Sequence, residues 1–192
     1  MKFRTRWRST TFSKQKAARQ PLRLVHSGFS ADASWDAQYA ATAAGWEFQL
    51  QGLKLYLERH RGTPRRCIVS RVSIPALTPA QAWSKLWSPE ALLKVTHPEP
   101  THATERYAIT TAQSDRLEGV AHTLSPPKDF SATITNLNDA WWRLHIDDLP
   151  LFGKREVNNW ISTYGLEKSR VAELQERFDR LLSNVAQPNT PV

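Results

Sequence analysis

A chain of 192 residues with 40% hydrophobic side chains and eight Trp is long enough for one domain, or two small ones, with a buried core. One Cys and seven Gly exclude a disulfide framework and a four-cysteine zinc site. No apolar run reaches the roughly eighteen residues of a membrane span, and the N-terminus has no apolar segment of the signal-peptide type. These observations favour a cytoplasmic protein.

The net charge of +8 is concentrated in the N-terminal third of the chain. Residues 1–66 carry thirteen Lys and Arg against four acids, and Lys2, Arg4, Arg6 and Arg8 alternate with other residues. An alternation of period two is typical of a strand, not of a helix. Two interpretations stay open. We favour a solvated, charged edge strand. The other is an arm that binds a membrane surface or nucleic acid, and we expect any nucleic-acid binding to be weak and non-specific.

Two strands are predicted before the first helix. Residues 2–12 form the first, and residues 13–20 form a polar, basic loop. Pro21 opens the second strand at residues 22–29, where apolar and β-branched side chains favour extended structure. His26 lies on the apolar side of this strand, which indicates a hydrogen-bonded structural histidine and not a metal ligand.

The stretch from Ser34 to Gly62 predicts one long helix around which the chain is organised. Ser34 is suited to cap its N-terminus, and Gly62 followed by Pro64 is suited to end it. At 1.5 Å per residue such a helix is about 40 Å long. Its predicted apolar face consists of residues three or four positions apart: Tyr39, Ala43, Trp46, Leu50, Leu53 and Leu57. This face needs an apolar partner, most simply a curved sheet.

A new series of elements begins after a short linker at residues 63–66. A strand is predicted at 67–74. Two short helices start at the capping signals of Thr78 and Ser88, and the second ends near Val95. An extended segment at 97–102 follows, and then strands at 106–112, 117–124, 130–137, 140–147 and 155–162. A second long helix is predicted at residues 166–185, with an apolar stripe at Val171, Leu174, Phe178, Leu181 and Val185. Residues 188–192 form a tail.

The segment from His26 to Gly62 resembles the closing strand and C-terminal helix of SRPBCC proteins. These form the START-like, helix-grip superfamily, which includes heat-shock-ATPase-activator-like and polyketide-cyclase-like branches. The matching residues are His26-Ser27-Gly28-Phe29, Trp35, Tyr39, Gly45-Trp46, Leu53-Lys54 and Tyr56-Leu57-Glu58. Residues 67–187 are similar, more loosely, to a second and divergent copy, through the string TPAQAWSKLWSPEAL and through Tyr164-Gly165 before the last helix.

This resemblance implies an α+β fold in which an antiparallel sheet grips a long C-terminal helix. It also implies a division of the chain into a partial unit at 1–62, the linker at 63–66, a divergent START-like unit at 67–187 and the tail at 188–192. The partial unit has two strands and its long helix; the earlier strands and short helices of a complete unit are missing before His26. In this superfamily the ligand pocket lies between the long helix and the sheet, so we expect a pocket of that kind in residues 67–187.

Recognisable catalytic motifs are absent: the sequence has no Gly-rich phosphate loop, GxSxG elbow or HExxH. We therefore predict no catalytic residues, no metal site and no cofactor, and no residue set supports the cyclase or hydrolase activities that remain open. One strand face is nevertheless polar. It carries Arg143, His145 and Asp147 beside Trp141. If it looks into a pocket, it could bind an acidic amphiphile or act as a general base. Because the opposite face is strongly apolar, we expect the polar face to meet solvent.

Two functions follow. The first is binding of a small hydrophobic ligand, for which the candidate residues are Trp46, Leu50, Leu53, Trp141, Arg143 and His145. The alternative is a protein–protein interaction or self-associating module, because an incomplete unit exposes strand edges and the helix stripe. The long helix must either dock on the sheet of residues 67–187 or be buried in a homodimer, and we expect the dimer.

Overall fold

The computed structural model describes residues 22–87, 93–95 and 105–187, with the backbone alone for 93–95. The helices are α1 (Asp36–Arg59), α2 (Pro79–Trp87) and α3 (Lys168–Ala186). The strands are β1 (Arg65–Ser73), β2 (Leu93–Val95), β3 (Arg106–Thr111), β4 (Arg116–Ser125), β5 (Asp129–Ile134), β6 (Ala140–Leu149) and β7 (Lys154–Tyr164). None of the helices in this described part is both long and apolar enough to cross a bilayer.

The seven strands form a single sheet in the order β1-β7-β6-β5-β4-β3-β2, and the strand pairs are antiparallel. Strands β2 to β7 follow one another as a meander. Strand β1 pairs with β7 along its whole length, from Arg65 opposite Tyr164 to Ser73 opposite Glu156. The chain thus returns to its first strand at the end of the sheet, and α3 follows directly from β7.

One face of this sheet, which we call the inner face, packs against α2 and α3. On β6, Trp142, Leu144 and Ile146 point to this face and are at most 4% exposed. The Trp142 ring lies 5.1 Å from the Phe130 ring and 6.4 Å from the Phe178 ring of α3, measured between centroids. The alternation of β6 and the apolar stripe of α3 therefore predicted the inner core correctly, since Leu174, Phe178, Leu181 and Val185 are all buried.

The opposite, outer face of the sheet is covered by α1. Trp141 and Arg143 point to this face and are only 3% and 7% exposed. The expectation that the polar face of β6 meets solvent is therefore wrong. The long helix docks on the sheet of the same chain, which is the arrangement that the sequence analysis placed second to a dimer. The physical reason is that a 24-residue helix can lie across several strands and needs no second chain to bury one of its faces.

The face of α1 that contacts the sheet differs from the predicted stripe. Phe48 is buried, at 5% exposure, and Leu55 and Tyr56 pack beside it. In contrast, Leu53 is 43% exposed and Leu57 is 55% exposed. Apolar side chains occur on both sides of α1, so the spacing of one set did not determine which side is buried.

Two further predictions about secondary structure are corrected. Residues 22–29 form no strand; they run along α1, where Trp46 Nε1 donates a 2.8 Å hydrogen bond to His26 Nδ1 and the Phe29 ring lies 5.5 Å from the Tyr39 ring. The helix expected to end near Val95 is replaced there by strand β2, which pairs with β3. A strand needs a partner with free hydrogen-bonding groups, and this requirement is not visible in a local pattern. The strand predicted at 2–12 and the tail at 188–192 lie outside the described residues.

Candidate ligand cleft between α1 and the sheet

The contact of α1 with the sheet is anchored by two stacked aromatic rings. Phe48 and Trp141 lie 5.2 Å apart between centroids, with an angle of 16° between their planes. Trp141 Nε1 donates a 3.1 Å hydrogen bond to the carbonyl oxygen of Phe48. The indole therefore has its single donor satisfied although it is buried, as a stable buried Trp requires.

A cavity of about 300 Å³ opens beside this anchor, and we call it the apolar cavity. Its aromatic walls are Trp46 and Phe48 from α1 and Trp160 from β7. The residues that line it are His26, Thr42, Gly45, Trp46, Phe48, Gln49, Arg143, His145 and Trp160. A site with apolar walls and a small number of polar groups is the usual composition of a small-molecule pocket.

Arg143 forms the floor between α1 and the sheet. Its Nε and Nη2 atoms donate hydrogen bonds of 3.0 Å and 2.6 Å to the two carboxylate oxygens of Asp129, on the neighbouring strand β5. Its guanidinium carbon lies 5.5 Å from the centroid of the Phe48 ring. This bidentate pair, together with the aromatic face, compensates the burial of a charged group.

His145 and Asp147 continue the polar row along β6. His145 Nε2 lies 3.7 Å from Asp147 Oδ1, and Asn158 Nδ2 donates a 3.1 Å hydrogen bond to Asp147 Oδ2. Burial raises the pKa of Asp147, but the hydrogen bond and charge of His145 and the charges of Lys154 and Arg143 outweigh it and hold the pKa below its ordinary value. Asp147 is therefore ionised at neutral pH.

A second cavity, of about 280 Å³, lies on the other side of Phe48 and Arg143, and we call it the polar cavity. Most of its lining residues carry a hydroxyl, amide or charged group. The lining residues are Ala44, Glu47, Phe48, Gln51, Thr123, Ser125, Asp129, Ser131 and Arg143. Phe48 and Arg143 line both cavities, so the two spaces are neighbours along the underside of α1.

Three of the six candidate ligand residues lie together in the structure. Trp46, Arg143 and His145 line the apolar cavity, and Trp141 is adjacent through its stacking on Phe48. Leu50 and Leu53 line neither described cavity, because they lie on the other side of α1. Phe48, Trp160 and the whole polar cavity were not predicted from the sequence. A usable signal was present in α1, where Gly45, Phe48 and Gly52 recur at helical spacing.

The described residues contain no group of three or more His, Cys, Asp or Glu that could hold a metal ion. The single cysteine, Cys67, is half-buried in β1 and lines neither cavity. The polar groups under α1 form pairs with each other: Arg143 with Asp129, and His145 with Asp147. This arrangement can position a ligand by shape and by hydrogen bonding.

No family model matches the chain, and no curated protein matches it either. Solved structures do. The matches include DynU16, a protein of the dynemicin biosynthetic locus, with 14% identity over 64% of this chain and 46% of that chain, at a TM-score of 0.51. Protein MLL2253 from Mesorhizobium loti matches with 14% identity over 64% of this chain and 95% of its own, at a TM-score of 0.49. An Aha1 dimer from Colwellia psychrerythraea matches with 12% identity over 63% of this chain and 93% of its own, at a TM-score of 0.48.

The class of protein that the fold defines can now be stated. An antiparallel sheet with a long C-terminal helix packed on its inner face is the helix-grip α+β fold. The match to DynU16 supports this assignment, and the chain spans less than half of the DynU16 chain. The fold class and the resemblance predicted from the sequence are thus confirmed. The division of the chain into a partial copy and a divergent copy stays a prediction.

Proposed function

We propose that this protein binds a small hydrophobic molecule in the apolar cavity under α1. The observation that carries the proposal is a space of about 300 Å³ with three aromatic walls, at a place where α1 bridges a sheet face. Ligand pockets in proteins begin at about 300 Å³, so the cavity suits a molecule of about one ring. Burial of such a ring against Trp46, Phe48 and Trp160 is favourable because it removes apolar surface from water.

The proposed site is on the outer face of the sheet, whereas the sequence analysis expected it between the sheet and the C-terminal helix. On the inner face, the described aromatic side chains contact one another. The Phe130 ring lies 4.9 Å from Trp87 and 5.7 Å from Tyr107, between centroids. The Tyr107 hydroxyl donates a 3.0 Å hydrogen bond to the carbonyl oxygen of Thr133. Both described cavities lie instead under α1, which supports the outer face.

Binding is a better account of this site than catalysis. A general base needs an accessible lone pair; the Nδ1 atom of His145 is buried away from solvent, and its Nε2 atom faces the Asp147 carboxylate at 3.7 Å. The Arg143 guanidinium is engaged by Asp129 and is not directed to a developing charge. The groups under α1 therefore support recognition of a ligand.

The proposal can be tested with small ring compounds that fit the cavity. We expect saturable binding of at least one of cyclohexanol, toluene and indole, followed by chemical-shift changes of the Trp46 and Trp160 indole N–H groups. Thr42→Trp places a large ring in the cavity and should abolish this binding. Ala40→Trp introduces the same ring on an exposed side of α1 and should leave it unchanged. Failure of all three compounds to bind, or equal binding to both variants, would contradict the proposal.

A second candidate function is self-association, and the exposed side of α1 supports it. We define the outer stripe as Leu53 and Leu57, which are 43% and 55% exposed. Large apolar side chains aligned on one helix face are typical of interaction surfaces. A second copy of the chain could cover this stripe with its own, since equivalent surfaces meet across a twofold axis. This function would leave the cavities under α1 accessible only from the sides of the helix.

A further inference from the structure

The polar cavity offers hydrogen-bonding groups that the fold itself does not use. Thr123, Ser125 and Ser131 line it with three hydroxyl groups, and Gln51 adds an amide whose Nε2 atom donates a 3.5 Å hydrogen bond to Glu47 Oε1. Within the described residues, none of the three hydroxyls makes a side-chain hydrogen bond, although Ser131 is only 3% exposed. These hydroxyls are therefore available to donate to, or accept from, a group that enters the cavity.

The charges around the polar cavity disfavour an anionic ligand group and attract a cationic one only weakly. The carboxylates of Glu47 and Asp129 face an incoming anion. Arg143 offers an anion little compensation, because Asp129 already occupies it in bidentate fashion at 3.0 Å and 2.6 Å. A like charge in a partly buried site is unfavourable by more than it is in water. For a cation, the remaining charge is the Glu47 carboxylate, and because Glu47 is exposed, water screens this attraction.

The two cavities are also placed to receive two parts of one molecule. Phe48 and Arg143 line both of them, so the partition between them consists of one aromatic ring and one guanidinium. A ligand that occupied both cavities would extend past the Phe48 ring and the Arg143 guanidinium, from aromatic walls to hydroxyl groups. The change in wall chemistry is that of an amphipathic molecule.

We propose that the polar cavity is a subsite for an uncharged, hydroxyl-rich group, such as a sugar or polyol, of the ligand whose ring occupies the apolar cavity. This inference rests on the proposed function, because it assigns the second part of the same ligand. Hydroxyl groups both donate and accept, so they pair with Thr123, Ser125, Ser131 and Gln51 without introducing a charge. The class of ligand is therefore a small neutral glycoside or polyol ether of a ring alcohol.

Four probes that share one ring test the inference: cyclohexanol, cyclohexyl β-D-glucoside, cyclohexanecarboxylate and cyclohexylamine, measured by calorimetry at neutral pH. We expect the glucoside to bind at least about tenfold more tightly than cyclohexanol, since one or two net hydrogen bonds are worth about that factor. The carboxylate and the amine should bind no more tightly than cyclohexanol.

A double variant, Thr123→Val with Ser131→Ala, removes two hydroxyls with little change in shape. It should weaken glucoside binding about tenfold and leave cyclohexanol binding unchanged, which also shows that the variant is folded. Thr110→Val, which removes a strand hydroxyl away from both cavities, is the matched control and should change neither.

The outcomes separate the inference from the proposed function. Binding of cyclohexanol with no gain for the glucoside, or tightest binding of the carboxylate or the amine, overturns the polar subsite and leaves the apolar cavity as a binding site. A glucoside preference that survives in the double variant also overturns the subsite. Absence of binding by all four probes overturns both.

Discussion

The Trp141 indole lies directly against the backbone of Gly52 in α1. A Cβ atom at position 52 would be 2.7 Å from Cδ1 and 3.0 Å from Nε1 of this ring. Trp141 is 3% exposed and stacked on Phe48, so it has little room to move away. The absence of a side chain at Gly52 is therefore what allows α1 to approach the sheet and to form the roof of both cavities.

Substitution of this glycine should weaken the docking of α1. Gly→Ala in a helix interior normally stabilises by about 0.5–1 kcal/mol. At position 52 the clash with Trp141 should reverse the sign, and we expect Gly52→Ala to lower the free energy of unfolding by about 1–3 kcal/mol, as in other overpacked sites. Gly45→Ala is the control, because its Cβ would be 4.0 Å from Arg143 Nη1. Urea unfolding in which both variants are equally stabilised would contradict this role of Gly52.

The buried ion pair under α1 should be sensitive to removal of its acid. Asp129→Ala leaves the Arg143 guanidinium, in a residue that is 7% exposed, without its partner. We expect a loss of about 3–5 kcal/mol in the free energy of unfolding, which is typical of an uncompensated buried charge. The exposed pair of Arg116 and Glu118 provides a comparison, and Glu118→Gln should cost at most about 1 kcal/mol. Similar losses in the two variants, measured by urea unfolding, would show that the Arg143 charge is not effectively buried.

Stability should fall in mildly acidic solution because of the histidine at the end of α1. His60 is 5% exposed, and its ring stacks on Tyr164 at 4.0 Å between centroids. Burial lowers the pKa of His60 from its ordinary value of 6.5; Asp139 opposes this shift and the Arg59 charge adds to it. The unfolded chain therefore binds the proton at higher pH. The stabilisation of the folded protein by unprotonated His60 is fully present above pH 6.5. It is lost as the pH falls from 6.5 through the lower pKa that His60 has in the folded protein.

The variant His60→Phe isolates this effect, because it retains an aromatic ring against Tyr164 and cannot be protonated. Between neutral pH and about pH 5, the free energy of unfolding should fall less in the variant than in the natural sequence. The pKa of His122 is also lowered, by desolvation and by the Arg59 charge, but this histidine is present in both proteins. If the free energy of unfolding fell equally with pH in the variant and in the natural sequence, the titration of His60 would not affect stability.

Self-association can be decided by sedimentation at micromolar concentration. If a second copy covers the outer stripe, the natural sequence should sediment as a dimer, and Leu53→Asp with Leu57→Asp should convert it to a folded monomer. The expected change is large because each buried Leu contributes about 1.5–3 kcal/mol. Ala40→Asp adds a charge at an exposed position of α1 that is not part of the stripe. A natural sequence that is monomeric at these concentrations would remove the alternative function and leave ligand binding untouched.

Part of the candidate site could be predicted from the sequence. Helical and strand spacing correctly identified the elements that carry Trp46, Arg143 and His145, and the structure places these three side chains around one cavity. The burial of the polar face of β6 could not be predicted from spacing. Arg143 is buried because Asp129, fourteen positions earlier, lies beside it across the β5–β6 pair and neutralises it. Which acid meets which base across a sheet depends on strand register, and one strand alone does not contain that information.

The sequence by itself determined the helix-grip sheet and the packing of α3 on its inner face. Periods of two and of about 3.6 residues are local properties, and an element with one apolar face has one way to bury it. Only the tertiary structure decided how α1 is used. This helix has apolar side chains on two faces, and the gap left by Gly52 beside Trp141 selects the face with Phe48. Shape complementarity between distant residues, and not hydrophobic periodicity, thus positions the helix and creates the cavities beneath it.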